Sequence, residues 1–401
     1  MISVLFEGWR LLQHSYGNVL AFLLVHLWKQ YGPNKTNEII FYVRECSYHD
    51  INWKNNQKMT YSPEYNIILK NFKQYNGEKV DIIYRQTYPY NLEPPQIERT
   101  PVCVFYTSEF AVLNNSYFNH DPRHDIRSYL IKNQHFYFTA PSEWSSRGMS
   151  NYLEDKSRNR VISHGVDTSI FYRHSNDSIR RQIRRKYNIL DNEILLINIG
   201  AMTMNKGIFL ILDALYNLVI IKKLPFKLLL KGMTDLYKSR EFVDALGYNT
   251  TALKSHIIFI DGTLNYSEIN DLFNSSDLYI SPYVAEGFGL TMLEALASGL
   301  CVLVPMTGSA CDYIDPIYNN GGEAYIYYVD SQIIRDNIGL YKNQIDAINI
   351  VNILSKNIYK IKEVRDDKTY LLLKKYIKKN YSWYKVSTDL YNYFIDIIVH
   401  M

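Results

Sequence analysis

The chain has four cysteines in 401 residues, Cys46, Cys103, Cys301 and Cys311, and no two of them form a Cys-x-x-Cys pair. Neither a zinc knuckle nor a disulfide framework is therefore expected. No run approaches the roughly 18 apolar residues of a membrane-spanning helix. Met1 to Arg10 is no secretory signal, because it lacks a basic start and Glu7 interrupts it. A Walker A loop and the Gly-x-Gly-x-x-Gly fingerprint are both missing, which removes two glycine signatures of nucleotide sites. Asp-x-Asp is missing too, so a divalent metal bridging a diphosphate has no obvious ligand pair. Charge of one sign is scarce: 44 Lys and Arg against 40 Asp and Glu leave +4, too little to argue for nucleic acid as a partner. These absences favour a reducing compartment, the cytoplasm, and leave room for an anionic small molecule or peripheral contact with a membrane surface.

What the chain does have is alternation. Apolar runs at Ser3 to Phe6, Ile39 to Val43, Val80 to Tyr84, Val102 to Tyr106, Phe136 to Thr139 and Val161 to Ser163 read as strands. Between the first two, Val19, Leu20, Leu23, Leu24, Leu27 and Trp28 recur at helical spacing across Asn18 to Tyr31. Asn52 to Asn76 is polar and aromatic and carries no clear period. A second series follows, with strands at Ile194 to Ile199, Phe226 to Leu230, Ile257 to Ile260, Leu278 to Ser281 and Cys301 to Val304, and helices over Ile208 to Lys222, Ser267 to Ser275 and Leu290 to Ser298. Strand alternating with helix argues for two open parallel sheets in tandem, with a hinge near Ser163 to His174. The tail from Asp346 reads as helical. Ser178 to Tyr187 carries Arg180, Arg181, Arg184, Arg185 and Lys186, which reads first as a solvated helix face.

In a parallel sheet the strand-end loops open at one edge. Here they present Gly200 to Lys206, Lys231-Gly232, Asp261 to Leu264, and Glu286-Gly287-Phe288-Gly289. Glycines at the mouth of a helix expose backbone N–H groups at the positive end of its dipole, which suits a phosphate. Glu286 and Glu294 bracket that mouth eight residues apart. Carboxylates beside an anion site make sense as acceptors for sugar hydroxyls. A lysine, a glycine-rich helix start and two acids together describe a site for a diphosphate joined to polyol rings, as in a nucleotide-sugar.

The stretch Glu286-Gly287-Phe288-Gly289-Leu290 with Glu294-Ala295-Leu296-Ala297-Ser298-Gly299 resembles the Glu-x7-Glu motif of the glycosyl transferases group 1 family. Gly200 with Lys206-Gly207, His164-Gly165-Val166-Asp167 with Phe171, Pro141 to Ser145, and Tyr381-Ser382-Trp383 are similar to further family elements. The resemblance implies an α/β GT-B fold: two Rossmann-like doubly wound domains facing across a cleft. Residues 1–168 would form an N-terminal acceptor-side domain, completed by a C-terminal helix at 382–401 that crosses back, and 169–381 the nucleotide-sugar donor-binding domain. It implies a retaining hexosyltransferase of glycan biosynthesis, independent of metal and cofactor, acting on a glycan, lipid or protein acceptor.

By the same resemblance, Lys206 and Glu286 are the catalytic candidates, with Lys206 on the leaving diphosphate. Glu294 would hold the ribose hydroxyls. Gly287, Phe288, Gly289, Leu290 and Thr291 would hold sugar and diphosphate, Thr263 and Leu264 would lie along the base, and Lys231 is a second candidate for the diphosphate. His14, Ser15, Tyr16 and Gly17 would approach from the first domain. Two departures stand out. Ala201 replaces the Arg usual after the loop glycine, and Thr107-Ser108-Glu109 stands where the family commonly has a His. Ala201 and the unusual first N-domain loop, where His14-Ser15-Tyr16-Gly17 replaces the family's usual paired glycines, keep open a second reading, a catalytically silent nucleotide-sugar-binding or scaffold protein of the same fold.

Overall fold

The computed structural model describes residues 1–12, 15–47, 61–120, 125–246, 250–363 and 367–400. The chain divides into two units, Met1–Gly165 with Tyr381–Met401, and Val166–Asn380. Among the described residues no helix is long and apolar enough to cross a membrane.

The first unit is built on a parallel sheet of β1 (Ile2–Gly8), β2 (Ile39–Glu45), β3 (Lys73–Gln74), β4 (Ile82–Gln86), β5 (Val102–Phe105), β6 (Phe136–Ala140) and β7 (Asn159–Val161). The strand order is β3-β2-β1-β4-β5-β6-β7. After β1 the chain crosses outward to β2 and β3, then returns past β1 to β4, so the order reverses between β1 and β4. Helix α1 (Ser15–Tyr31) makes the first crossover and begins three residues earlier than its apolar period suggests. It is apolar almost all round because it is covered on two sides. Phe22 stacks on Trp383 with ring centroids 5.4 Å apart, and Tyr31 stacks on Tyr391 at 4.0 Å. Gln30 Nε2 donates to Ser387 Oγ at 2.6 Å, and its Oε1 accepts from Thr388 Oγ1 at 2.9 Å. Those contacts seat the C-terminal helix Trp383–Val399 on the first unit. The expected strand at Val161 to Ser163 lies two residues earlier, because Asn159 is held there by the Tyr106 hydroxyl at 3.0 Å and by the Ser146 carbonyl at 3.1 Å. Within Asn52 to Asn76 the chain forms a helix at Pro63–Lys70, started by Ser62, whose side chain accepts from the Tyr65 N–H; residues 52–60 lie outside the described residues.

The second unit carries a parallel sheet of β8 (Ile194–Ile199), β9 (Phe226–Lys231), β10 (Ile257–Ile260), β11 (Leu278–Ile280), β12 (Cys301–Pro305) and β13 (Ile326–Val329), in the order β10-β9-β8-β11-β12-β13. All six residues of β8 are buried, as a strand covered on both faces requires. Helix α2 (Ser178–Lys186) is the basic run, and only part of it meets the expectation of a solvated face. Arg181 and Arg185 are exposed. Arg180 and Arg184 instead converge on the buried carboxylate of Asp277, at 2.6 and 3.2 Å. Arg184 also donates to the carbonyls of Leu190 and Glu193 at 2.8 and 2.7 Å, and Asp277 accepts from the Leu195 N–H at 2.7 Å. The clamp ties α2 to the starts of β8 and β11.

Helix α3 (Ile208–Tyr216) is shorter than its apolar run suggests, because a wider turn follows at Asn217–Ile221. Helix α4 (Tyr266–Ser275) begins with a capping box, Asn265 Oδ1 accepting from the Glu268 N–H while Glu268 Oε2 accepts from the Asn265 N–H. Helix α5 (Leu290–Ala297) follows β11. Beyond β13 an unexpected hairpin forms, with β14 (Ser331–Arg335) and β15 (Tyr341–Ile345) paired antiparallel.

Candidate active site

The strands of the second sheet all run the same way, so the ends of β8, β9, β10 and β11 share one edge. The order reverses between β8 and β11, and open α/β sheets bind their ligands outside the strand ends at such a reversal. Lys206 follows β8 and Glu286 follows β11. Their side chains meet across this point, with Lys206 Nζ donating to Glu286 Oε2 at 2.8 Å. Both side chains are about one-fifth exposed, 22% and 18%.

The backbone is tightly fitted around that pair. The Asn205 carbonyl accepts from the N–H groups of Val284 and Ala285 at 2.8 and 3.0 Å, joining the two loops directly. Gly207 has φ of +70°, and a Cβ there would overlap the Pro282 carbonyl oxygen, so only glycine lets the loops approach this closely. Glu286 Oε1 accepts from the Gly287 N–H at 3.0 Å, which orients the carboxylate. Gly289, at φ of +89°, turns the chain into α5 and brings no side-chain cap. No acidic residue occupies the first turn of α5. The amides of Leu290 and Thr291 thus belong to a helix N-terminus with no side-chain cap and no first-turn acid, an arrangement that favours an anion.

The remaining positions on this edge divide into two kinds. Lys231 ends β9 and is buried. Among the described residues no hydrogen bond or ion pair to its ammonium is found. Burial pushes its pKa down to about 8, with Asp261 opposing the shift. Glu294, half-buried on α5, likewise has no hydrogen-bond partner for its carboxyl among the described residues, and burial pushes it up to about 8. Thr263 is exposed and Leu264 partly so, in the loop ahead of the Asn265 cap. Asp261 is engaged locally, accepting from the N–H groups of Thr234 and Gly262 at 2.8 Å each.

Two positions expected at the ligand face the protein instead. The Phe288 ring is buried against Tyr313 with centroids 4.8 Å apart, so only its backbone remains for a ligand. The Thr291 hydroxyl lies 2.7 Å from that of Tyr279, which also donates to the Ile199 carbonyl at 3.1 Å and so ties α5 to the end of β8.

Several residues of this framework carried no sequence signal. The Tyr313 hydroxyl donates to the Gly289 carbonyl at 2.9 Å. Asn343, on β15, donates its N–H to the Val284 carbonyl at 2.7 Å and its side-chain amide to the Tyr283 carbonyl at 3.1 Å, and accepts from Thr307 Oγ1 at 2.8 Å. The unforeseen hairpin thus anchors the loop that leads to Glu286.

In the first unit, Ser15, Tyr16 and Gly17 form the first turn of α1, and His14 lies outside the described residues. Ser15 is exposed. The Tyr16 hydroxyl lies 3.2 Å from that of Tyr90, its ring packs on Phe105 at 5.4 Å, and its carbonyl accepts from Gln86 Nε2 at 2.7 Å. Tyr16 is a packing residue of this unit. His164 packs against Phe105 and Trp383, and burial pushes its pKa down to about 3, which suits a packing role.

Comparison with known families is decisive for the edge that holds Lys206 and Glu286: residues 179–322 match the model of "Glycosyl transferases group 1". These residues form a glycosyl transferases group 1 domain. Every second-unit position named above as a ligand candidate, from Lys206 to Glu294, lies inside this group 1 domain, and Ser15, Tyr16 and Gly17 lie outside it. An uncharacterized glycosyltransferase of Methanocaldococcus jannaschii is 28% identical over 164 residues, 41% of this chain and 40% of that protein. The lipopolysaccharide glucosyltransferase WaaG of Escherichia coli is 24% identical over 163 residues, 41% of each chain. The chain thus aligns with about two fifths of the length of these relatives. The fold likeness is wider than the group 1 domain. The crystal structure of Anabaena HepE in complex with UDP and glucose matches with a TM-score of 0.63 at 13% identity, covering 98% of this chain and 99% of that one. The fold is GT-B.

Proposed function

We propose that this chain is a retaining, nucleotide-sugar-dependent hexosyltransferase that moves a sugar from a nucleoside diphosphate to an acceptor hydroxyl, without metal or cofactor. The observation that carries the reading is the Lys206–Glu286 contact at the β8/β11 reversal, beside the uncapped start of α5. The group 1 match and the fold likeness to a UDP- and glucose-bound structure support it.

In this reading the diphosphate takes the place beside Lys206 and the α5 amides. Glu294 accepts from the ribose hydroxyls, which supply the partners its carboxyl lacks. Glu286 holds the sugar through its hydroxyls. Thr263 and Leu264 lie along the base. Lys231 adds the second cation that Ala201 does not provide. In the reaction the bond from the sugar's anomeric carbon to the diphosphate oxygen breaks, the acceptor oxygen bonds to the same carbon, and the acceptor proton passes to the leaving phosphate. Attack from the face of departure retains configuration, as the family resemblance implies. Preorganised donors at the leaving oxygen are the largest lever on such a step.

The acceptor is a glycan, lipid or protein hydroxyl, assigned to the first unit, and nucleic acid has no part. We place the reaction in the cytoplasm, with peripheral membrane contact where the acceptor is a lipid. Ala201 favours the second reading, a silent nucleotide-sugar-binding module. A panel of UDP-, GDP- and ADP-sugars separates the two: transfer predicts binding and release of nucleoside diphosphate, whereas the silent module binds and releases none.

A further inference from the structure

The first sheet also reverses its order, between β1 and β4, and a cavity of about 200 Å³ opens beside that reversal. It is lined by first-unit residues alone, none of them in the group 1 domain. The sheet register sets Arg44, Glu7 and Arg85 in one row across β2, β1 and β4, each one residue from its strand's end. Glu7 Oε1 accepts from Arg44 Nη1 at 2.9 Å, and Oε2 accepts from Arg85 Nε at 2.6 Å. Arg85 also holds the carbonyls of Asn91 and Glu93, at 3.2 and 2.6 Å, which fixes the loop forming the far wall.

Glu7 and Arg85 are almost wholly buried, with side chains 6% and 5% exposed. A buried charge row is costly beside the apolar residues that could fill the same space, and here it borders an open cavity. Arg44 is 39% exposed and lies over the Tyr75 ring, 4.7 Å from its centroid. Its ion pair uses one of the five N–H donors of a guanidinium. The Tyr75 hydroxyl donates to Gln96 Oε1 at 3.4 Å, so the Gln96 amide nitrogen also stands at the rim.

Size and charge narrow the occupant. Pockets for drug-sized ligands run to roughly 300–1,000 Å³, so a nucleotide is too large. Two guanidiniums face one carboxylate in the row, and the Glu93 carboxylate beside it, held by Asn119 Nδ2 at 3.1 Å, brings the lining close to neutral. A neutral molecule able both to donate and to accept suits this better than an anion. We propose that the cavity binds one small polyhydroxylated ring of the monosaccharide class. The inference stands on first-unit geometry and does not depend on the transfer reading.

The test is ligand-observed NMR on the full chain, titrating free glucose, galactose, mannose, N-acetylglucosamine and inorganic phosphate. One or more of the sugars should bind saturably. Arg44→Gln, which removes the exposed guanidinium and shortens the side chain, and Ile97→Trp, which fills the cavity from its lining, should each weaken that binding at least tenfold. Glu286→Gln, which removes the carboxylate assigned to the donor sugar, should leave binding at this cavity unchanged. Should Arg44→Gln fail to fold, Gln96→Ala at the exposed rim replaces it. The proposal is overturned if no sugar binds, if phosphate binds in their place, if the cavity variants leave binding intact, or if Glu286→Gln abolishes it.

Discussion

Lys206 and Glu286 stand 80 positions apart in sequence, and their ammonium and carboxylate meet at 2.8 Å where the second sheet reverses its strand order. With no anion present, each partly neutralises the other. A diphosphate arriving at the start of α5 would meet a lysine already aimed at it and a carboxylate free to turn to sugar hydroxyls. Lys206→Ala should therefore lower sugar transfer by about 10²–10³-fold, the usual cost of losing one charge-stabilising donor. A partly exposed pair contributes only about 0–1 kcal/mol to folding, so urea unfolding should barely change. Transfer within a few-fold of wild type would mean that another group carries the leaving charge.

Glu294 should make stability depend on pH in a recognisable direction. Its carboxyl is raised from an ordinary 4.5 to about 8. The folded state therefore holds a proton that the unfolded state has lost, and stability falls as pH rises from about 4.5 to 8. Glu294→Gln keeps the shape without that penalty. Melting curves should show the variant gaining on wild type across this window and running parallel to it above. A constant offset at every pH would mean that Glu294 is not the group responsible.

The sign is opposite for Lys231. Its folded value of about 8 lies below the ordinary 10.5. Burial of the charge costs stability below pH 8, and the cost fades as pH rises toward 10.5. Lys231→Met should be the more stable protein at neutral pH and lose that advantage in alkali. A bound diphosphate would raise the lysine's pKa, so nucleotide binding above pH 8 should take up a proton. Calorimetry in buffers of different ionisation enthalpy reads this directly, and binding without proton uptake would remove Lys231 from the site.

Asp277 offers a test of the scaffold apart from the chemistry. Asp277→Ala leaves Arg184 buried without its carboxylate, and breaking a buried pair in this way costs about 3–5 kcal/mol. Urea unfolding should show that loss. Arg181→Ala, on the exposed side of the same helix, should show almost none.

Much of the second unit could be read from the sequence because its signals are local. The apolar runs of β8 and β10 match the observed strands; β8 is buried on both faces, which demands an unbroken apolar stretch, while β10 is a partly buried edge strand. Gly287, Gly289, Glu286 and Glu294 fall within one loop and helix, so their spacing alone shows how they are arranged. What escaped is tertiary. Hairpin β14–β15 is half exposed and mixes Gln332, Arg335, Lys342 and Gln344 with isoleucines, which leaves no strand-like alternation. Asn343 matters only through partners some 36 to 60 residues away. The division of the α2 arginines depends on Asp277, about 95 residues distant, and no helical period reveals it. The packing of Tyr16 was hidden for a similar reason, since its partner Tyr90 is non-local.

The most direct measurement incubates the full chain with UDP-, GDP- and ADP-sugars and follows release of nucleoside diphosphate, with wild type and Lys206→Ala side by side. One donor should release its nucleoside diphosphate, faster as a glycan, lipid or protein acceptor is added, and Lys206→Ala should remove nearly all of that release while still binding nucleotide. No release from any donor by wild type, or equal release by the two proteins, would contradict the proposed transfer at the Lys206–Glu286 site.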